Sequence, residues 1–140
     1  MKLTIDTSAA LKLVLLEPGT ADVWALVESE TQLIAPDLIH AEMANGLWAN
    51  ALSKRIAPDK AIELNLSWQP LIDEIHASAA LADHALRLSI ALRHAIYDCL
   101  FLALAIRESA PLVTADAKFL HLLEGTAYRE FAQPLTSGSN

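Results

Sequence analysis

The apolar positions of this chain change period repeatedly, and each change marks an element. "KLTID", residues 2–6, is short and β-prone and predicts a first strand. "TSAALKLVLLE" follows with apolar residues at helical spacing, Thr7 and Ser8 as cap candidates, and Pro18-Gly19 as a stop. Residues 20–30 predict a second helix with Val23, Trp24 and Val27 on one face. "QLIA", residues 32–35, predicts a strand stopped by Pro36, and Asp37 is placed to cap a helix running to about Lys54. Further helices are expected from Pro58 to about Trp68, from about Ala80 to Arg93, from about Ala95 to Ser109, and from Ala117 to Leu123. Strands are expected in "LIDEIHA", in residues 111–116 and near residues 128–131.

Strands separated by helices predict the α/β class, a three-layer α/β/α arrangement with a central, mostly parallel sheet flanked by helices. Open sheets of that kind place ligands beyond the carboxyl ends of their strands. Asp6 ends the first strand and Asp116 follows Val113-Thr114 closely, so the two acids share a crevice if those strands are neighbours. No repeat or linker interrupts residues 1–133, which are expected to form one domain, with 134–140 as a flexible tail.

Composition narrows the class. At 140 residues with mean hydropathy +0.33, the chain has the size of one globular domain with a real core. The apolar run at residues 95–106 is too short for a bilayer and contains Asp98, so no membrane association is expected. A single cysteine, Cys99, excludes an internal disulfide, fits a cytoplasmic location and is expected to pack as a small core residue. The net charge of −7 argues against strong non-specific nucleic-acid binding but leaves room for a carboxylate site whose charge a metal cancels.

Carboxylates carry the candidate chemistry. Asp98 lies among Ala, Ile, Leu and Phe, where an unpaired charge costs several kcal/mol, roughly. The helix N-terminus alone does not offset that cost, so a cation is required. Arg107 is nine positions away, and His94 reaches Asp98 only if the helix begins early. Glu42 lies beside an apolar stripe, next to the gap left by Gly46, with Asn45 one turn on. Taken singly, each acid also fits an ordinary role as a cap, turn or boundary residue. Together, Asp6, Glu42, Asp98 and Asp116 point to a hard divalent cation, Mg²⁺ or Mn²⁺. Without it, some members should have raised pKa values. The five histidines show no metal-ligand spacing in the sequence.

Four stretches, "TIDTSAALKL", "HAEMANGLWANAL", "YDCLFLALA" and "LVTADAKFL", resemble the PIN-domain family, and within it the VapC-type toxins of toxin–antitoxin pairs. The resemblance runs through nearly the whole chain in matching order. It implies a PIN-like fold and an Mg²⁺- or Mn²⁺-dependent endoribonuclease with Asp6, Glu42, Asp98 and Asp116 as catalytic and metal-binding acids. Ser8 and Thr114 match the supporting hydroxyl positions, and Asn45 is added on helical spacing. It further implies hydrolysis of RNA by metal-activated water, leaving a 5′-phosphate and a 3′-hydroxyl. The implied partners are RNA, a cognate antitoxin and a second copy of the chain. Leu11, Val14, Leu15, Trp24 and Val27 are candidate contact surface, or else core. Lys12, Lys54, Arg55, Arg87, Arg93 and Lys118 are candidate backbone contacts, or else solvated charges. "RHAIYD" before and through Asp98 is a residue or two shorter than the family's usual stretch.

Two other functions compete. A binding scaffold on the same fold would need no acids. A phosphatase of the haloacid-dehalogenase kind also starts from an Asp after strand 1, but requires a second Asp where this chain has Ser8.

Overall fold

A computed structural model describes residues 1–135. Five strands, β1 (Lys2–Ile5), β2 (Gln32–Pro36), β3 (Glu74–His76), β4 (Leu112–Thr114) and β5 (Ala132–Pro134), form one sheet in the order β3-β2-β1-β4-β5. Every neighbouring pair is parallel. The strand order reverses between β1 and β4, and the crevice of such a sheet opens beyond the carboxyl ends at that point. Asp6 follows β1 there, and Asp116 follows β4.

Seven α-helices connect and cover the sheet: α1 (Thr7–Ala10), α2 (Thr20–Glu28), α3 (Leu38–Leu52), α4 (Pro58–Ser67), α5 (Ser78–Leu92), α6 (Ile96–Glu108) and α7 (Ala117–Leu123). Leu3, Thr4 and Ile5 are buried in succession, as are Leu112, Val113 and Thr114, which requires cover on both faces of the sheet. The α6 helix is buried at every position from Cys99 to Ala105, so Cys99 is indeed a core residue. No single helix is long and apolar enough to cross a membrane, and the apolar α5 and α6 turn by 115° between them.

Several expectations shift in detail. The first helix does not run on to Glu17: it ends at Ala10 and tightens into a 3₁₀ turn at Leu11–Leu13. Lys12 reaches back to the Pro18 carbonyl and Glu17, drawing the following loop over its end. Its cap is Asp6 itself, which accepts from the Ala9 N–H, rather than Thr7 or Ser8. Asp37 precedes α3 but accepts from the Ser78 N–H across 41 positions instead of capping its own helix. The strand expected at 128–131 is a 3₁₀ turn, Arg129–Phe131, because Thr126 turns the chain there. The strand forms at Ala132–Pro134 and so extends into the stretch expected as a tail; residues 136–140 of that tail lie outside the described residues. Leu11, Val14, Trp24 and Val27 are partly buried and pack against the core, and Leu15 is partly exposed beside them in sequence.

Candidate active site

Asp6 is the buried acid of the crevice, at 6% exposure. Asp6 follows β1 in an extended conformation and leads straight into α1, so its carboxylate is held at the helix N-terminus. Its Oδ1 accepts from the Ala9 N–H at 3.0 Å and from the Ser8 hydroxyl at 2.6 Å. Ser8 Oγ in turn accepts from the Ala115 N–H at 3.0 Å and lies 3.2 Å from Thr114 Oγ1. Thr114 Oγ1 accepts from the Asp116 N–H at 3.0 Å. One chain of polar groups, running through Ser8 and Thr114, therefore joins the ends of β1 and β4.

Asp116 caps α7, its Oδ1 accepting from the Lys118 and Phe119 N–H groups at 3.0 and 3.1 Å. Its second oxygen makes no hydrogen bond among the described residues. Glu42, on α3, accepts from the Thr7 hydroxyl at 2.7 Å across 35 positions. Thr7 was legible only as a helix cap; a hydroxyl beside Asp6 in "DTS" was the one signal of a second use. The gap beside Gly46 is filled by Leu11, whose Cδ atoms would stand 2.9 Å from a Cβ there.

Asp98 occupies the first turn of α6. The question of its partner has an answer in the fold: His94 Nε2 lies 2.6 Å from Asp98 Oδ2. This corrects the expectation that His94 reaches it only from within an early-starting helix, since α6 begins at Ile96. A three-residue turn does it instead. Arg93 takes a left-handed conformation, φ 53°, and returns His94 over the start of α6. The Asp98 side chain is also 39% exposed, so the apolar run around it does not bury its charge.

Burial is the largest influence on Asp6 and pushes its pKa up to about 6. The hydroxyls of Ser8 and Thr114 and the Ala9 N–H act against it, and the charge of Asp98 adds to it. Burial likewise raises the Glu42 pKa, against the Thr7 hydroxyl and with the charge of Asp98. Asp6, Glu42 and Asp98 thus share one electrostatic field, and self-repulsion among the acids falls on Asp6 and Glu42. Asp116 joins the group through Thr114 and Ser8. Asn45 is exposed on the wall of an adjoining groove of about 430 Å³, lined also by Thr7, Leu11, Glu42, Gly46 and Tyr97, and makes no hydrogen bond to the acids among the described residues.

The donors fit a hard dication: all are carboxylate oxygens, and the most buried of them has no cationic partner. Among the described residues, the three metal-ligating groups whose atoms lie within 4.8 Å of one another are Glu74, His76 and Glu108, not the crevice acids. The wider spacing of the crevice acids suits an ion that keeps several of its waters, as Mg²⁺ does. The Glu74 set is already balanced, by Lys2 at 3.0 Å from Glu74 and by Arg107 beside Glu108 and His76.

Comparison with known proteins agrees with this fold. Residues 3–123 match the profile of the PIN domain family. Ribonuclease VapC3 of Pyrobaculum aerophilum is 29% identical over 118 residues, covering 83% of this chain and 90% of the relative. The crystal structure of PAE2754, also from Pyrobaculum aerophilum, superposes with TM-score 0.71 at 21% identity, over 90% of this chain and 82% of that one. VapBC2 from Rickettsia felis, solved bound to a DNA fragment from its promoter, superposes with TM-score 0.65 at 15% identity, over 96% and 98%.

Proposed function

The chain belongs to the PIN-domain family, and from that premise we propose that it is a divalent-metal-dependent endoribonuclease, the toxin of a toxin–antitoxin pair acting in the cytoplasm. The observation that carries the reading is Asp6, a buried carboxylate with a raised pKa at the sheet's reversal point, under the charge of Asp98 and with no cationic partner among the described residues. The ribonuclease named among its relatives and the fold it shares with a VapBC complex support the same reading.

Asp6, Asp98, Asp116 and Glu42 would hold the ion. Bound there, Mg²⁺ or Mn²⁺ supplies Lewis acidity toward the scissile phosphate and lowers the pKa of water. The protein's own groups do the rest. Ser8 and Thr114 hold Asp6 in place and favour its charged form. Thr7 does the same for Glu42. The groove beside Glu42 gives the strand flanking the cleaved bond a place to lie, with Tyr97, 57% exposed, at its edge. Arg93, next to His94 in the chain, and Lys118, two positions after Asp116, are the cations proposed for the RNA backbone, whereas Lys12 and Arg87 are engaged with Glu17 and Asp83.

A small antitoxin and a second copy of the chain are the protein partners of this reading. The exposed apolar pairs Trp48 and Leu52 on α3, Ile62 and Leu66 on α4, and Leu86 and Ile90 on α5 provide surface for them. Incubating the purified chain with RNA, with and without Mn²⁺, tests the activity. Metal-dependent cleavage that Asp98→Asn abolishes is expected; equal cleavage by both proteins would overturn the proposal.

A further inference from the structure

His94 belongs to no part of the acid set, yet it touches that set at close range. Its Nε2 stands 2.6 Å from Asp98 Oδ2, and its ring packs on Phe119 of α7 with centroids 5.3 Å apart. Phe119 is itself buried and lies three positions after Asp116. One imidazole therefore bridges the helix that carries Asp98 and the helix that Asp116 caps. It is placed there by the short turn between α5 and α6, in which the left-handed Arg93 is followed by His94 and then Ala95.

We propose that His94 is a positioning residue that fixes the Asp98 carboxylate for the divalent cation. This rests on the metal-dependent reading above. Asp98 is part-exposed and sits on a first helical turn, where its side chain is otherwise free to choose among rotamers. Donation from Nε2 engages Oδ2 and leaves Oδ1 without a hydrogen-bond partner among the described residues. A neutral imidazole suffices, because its Nε2–H tautomer is a donor. The Phe119 contact restrains the ring, so the donor is held in place before any ion arrives. Hydrogen-bonded partners of ligating carboxylates act in this way, and losing one typically weakens metal binding about 10- to 100-fold.

Mn²⁺ titration by calorimetry on the full chain tests the proposal, with wild type, His94→Phe and His94→Gln. His94→Phe keeps a ring against Phe119 but removes the donor; His94→Gln keeps a donor. The expected result is Mn²⁺ affinity about 10-fold or more weaker in His94→Phe, largely recovered in His94→Gln, with the metal-free melting temperature of His94→Phe near wild type. Equal affinity in wild type and His94→Phe overturns the proposal and leaves the nuclease reading standing. A loss that His94→Gln does not recover, accompanied by a lowered melting temperature, also overturns it, since the role is then structural. Absence of Mn²⁺ binding in the wild type overturns the metal-dependent reading together with this one.

Discussion

Ser8 gives its one hydroxyl proton to Asp6, at 2.6 Å, while its oxygen receives the Ala115 N–H at 3.0 Å. The residue two positions after the buried acid is thus tied to the end of β4, and the Asp6 carboxylate is stabilised in its charged form by a group from the helix it caps. Removing that hydroxyl should make ionisation harder. Ser8→Ala is expected to move the pH midpoint of Mn²⁺ binding upward by about half a unit or more, since a hydrogen bond to a charged group contributes about 1.5–3 kcal/mol in favourable cases. Mn²⁺ affinity measured between pH 5 and 8 checks this; an unmoved midpoint counts against it.

Asp6 also sets a pH dependence of stability in the metal-free protein. Its pKa is raised from 3.8 to about 6 by burial, so the folded state holds a proton that the unfolded state has already lost. That contribution is fully present below pH 3.8 and is lost as pH rises through about 6. The cost at neutral pH approaches about 3 kcal/mol. Asp6→Asn keeps an oxygen acceptor for Ala9 and Ser8 but cannot ionise. In the presence of chelator it should melt higher than wild type at pH 7.5 and close to wild type at pH 4. The same difference at both values would show that burial does not disfavour the Asp6 charge.

Tyr97 faces the groove beside Glu42 and is more than half exposed. Stacking of a base on an aromatic ring contributes about 1–3 kcal/mol. Tyr97→Ala is expected to weaken binding of single-stranded RNA about 5- to 100-fold without changing Mn²⁺ affinity. Binding measured by anisotropy on a catalytically silent Asp116→Asn background separates the two effects. Undiminished RNA affinity would remove Tyr97 from the substrate path.

Three of the candidate acids have a local signature in the sequence. Asp6 ends a β-prone stretch, Asp116 follows another, and Asp98 interrupts an apolar helix. The parallel sheet was legible from strands separated by helices, and β1 does pair with β4 as the shared crevice requires. What joins the acids was less so. The bond from Thr7 to Glu42 spans 35 positions, and the contact between Ser8 and Thr114 spans 106. His94 was judged by helical spacing, whereas a left-handed residue outside the helix delivers it. The last strand was misplaced because Tyr128 and Phe131 look β-prone, while Thr126 turns that stretch and the ladder to β4 starts at Ala132.

The central claim is that Asp6, Glu42, Asp98 and Asp116 act as one metal-dependent nuclease site. The most direct measurement maps the ends of RNA cleaved by the wild type and by the single variants Asp6→Asn, Glu42→Gln, Asp98→Asn and Asp116→Asn, with Mn²⁺ and with chelator. The account predicts cleavage only with metal, ends carrying 5′-phosphate and 3′-hydroxyl, and a loss of about 100-fold or more in each variant, beyond the cost of losing a supporting partner alone. Cleavage that persists in chelator, or that leaves 2′,3′-cyclic phosphate, would contradict it.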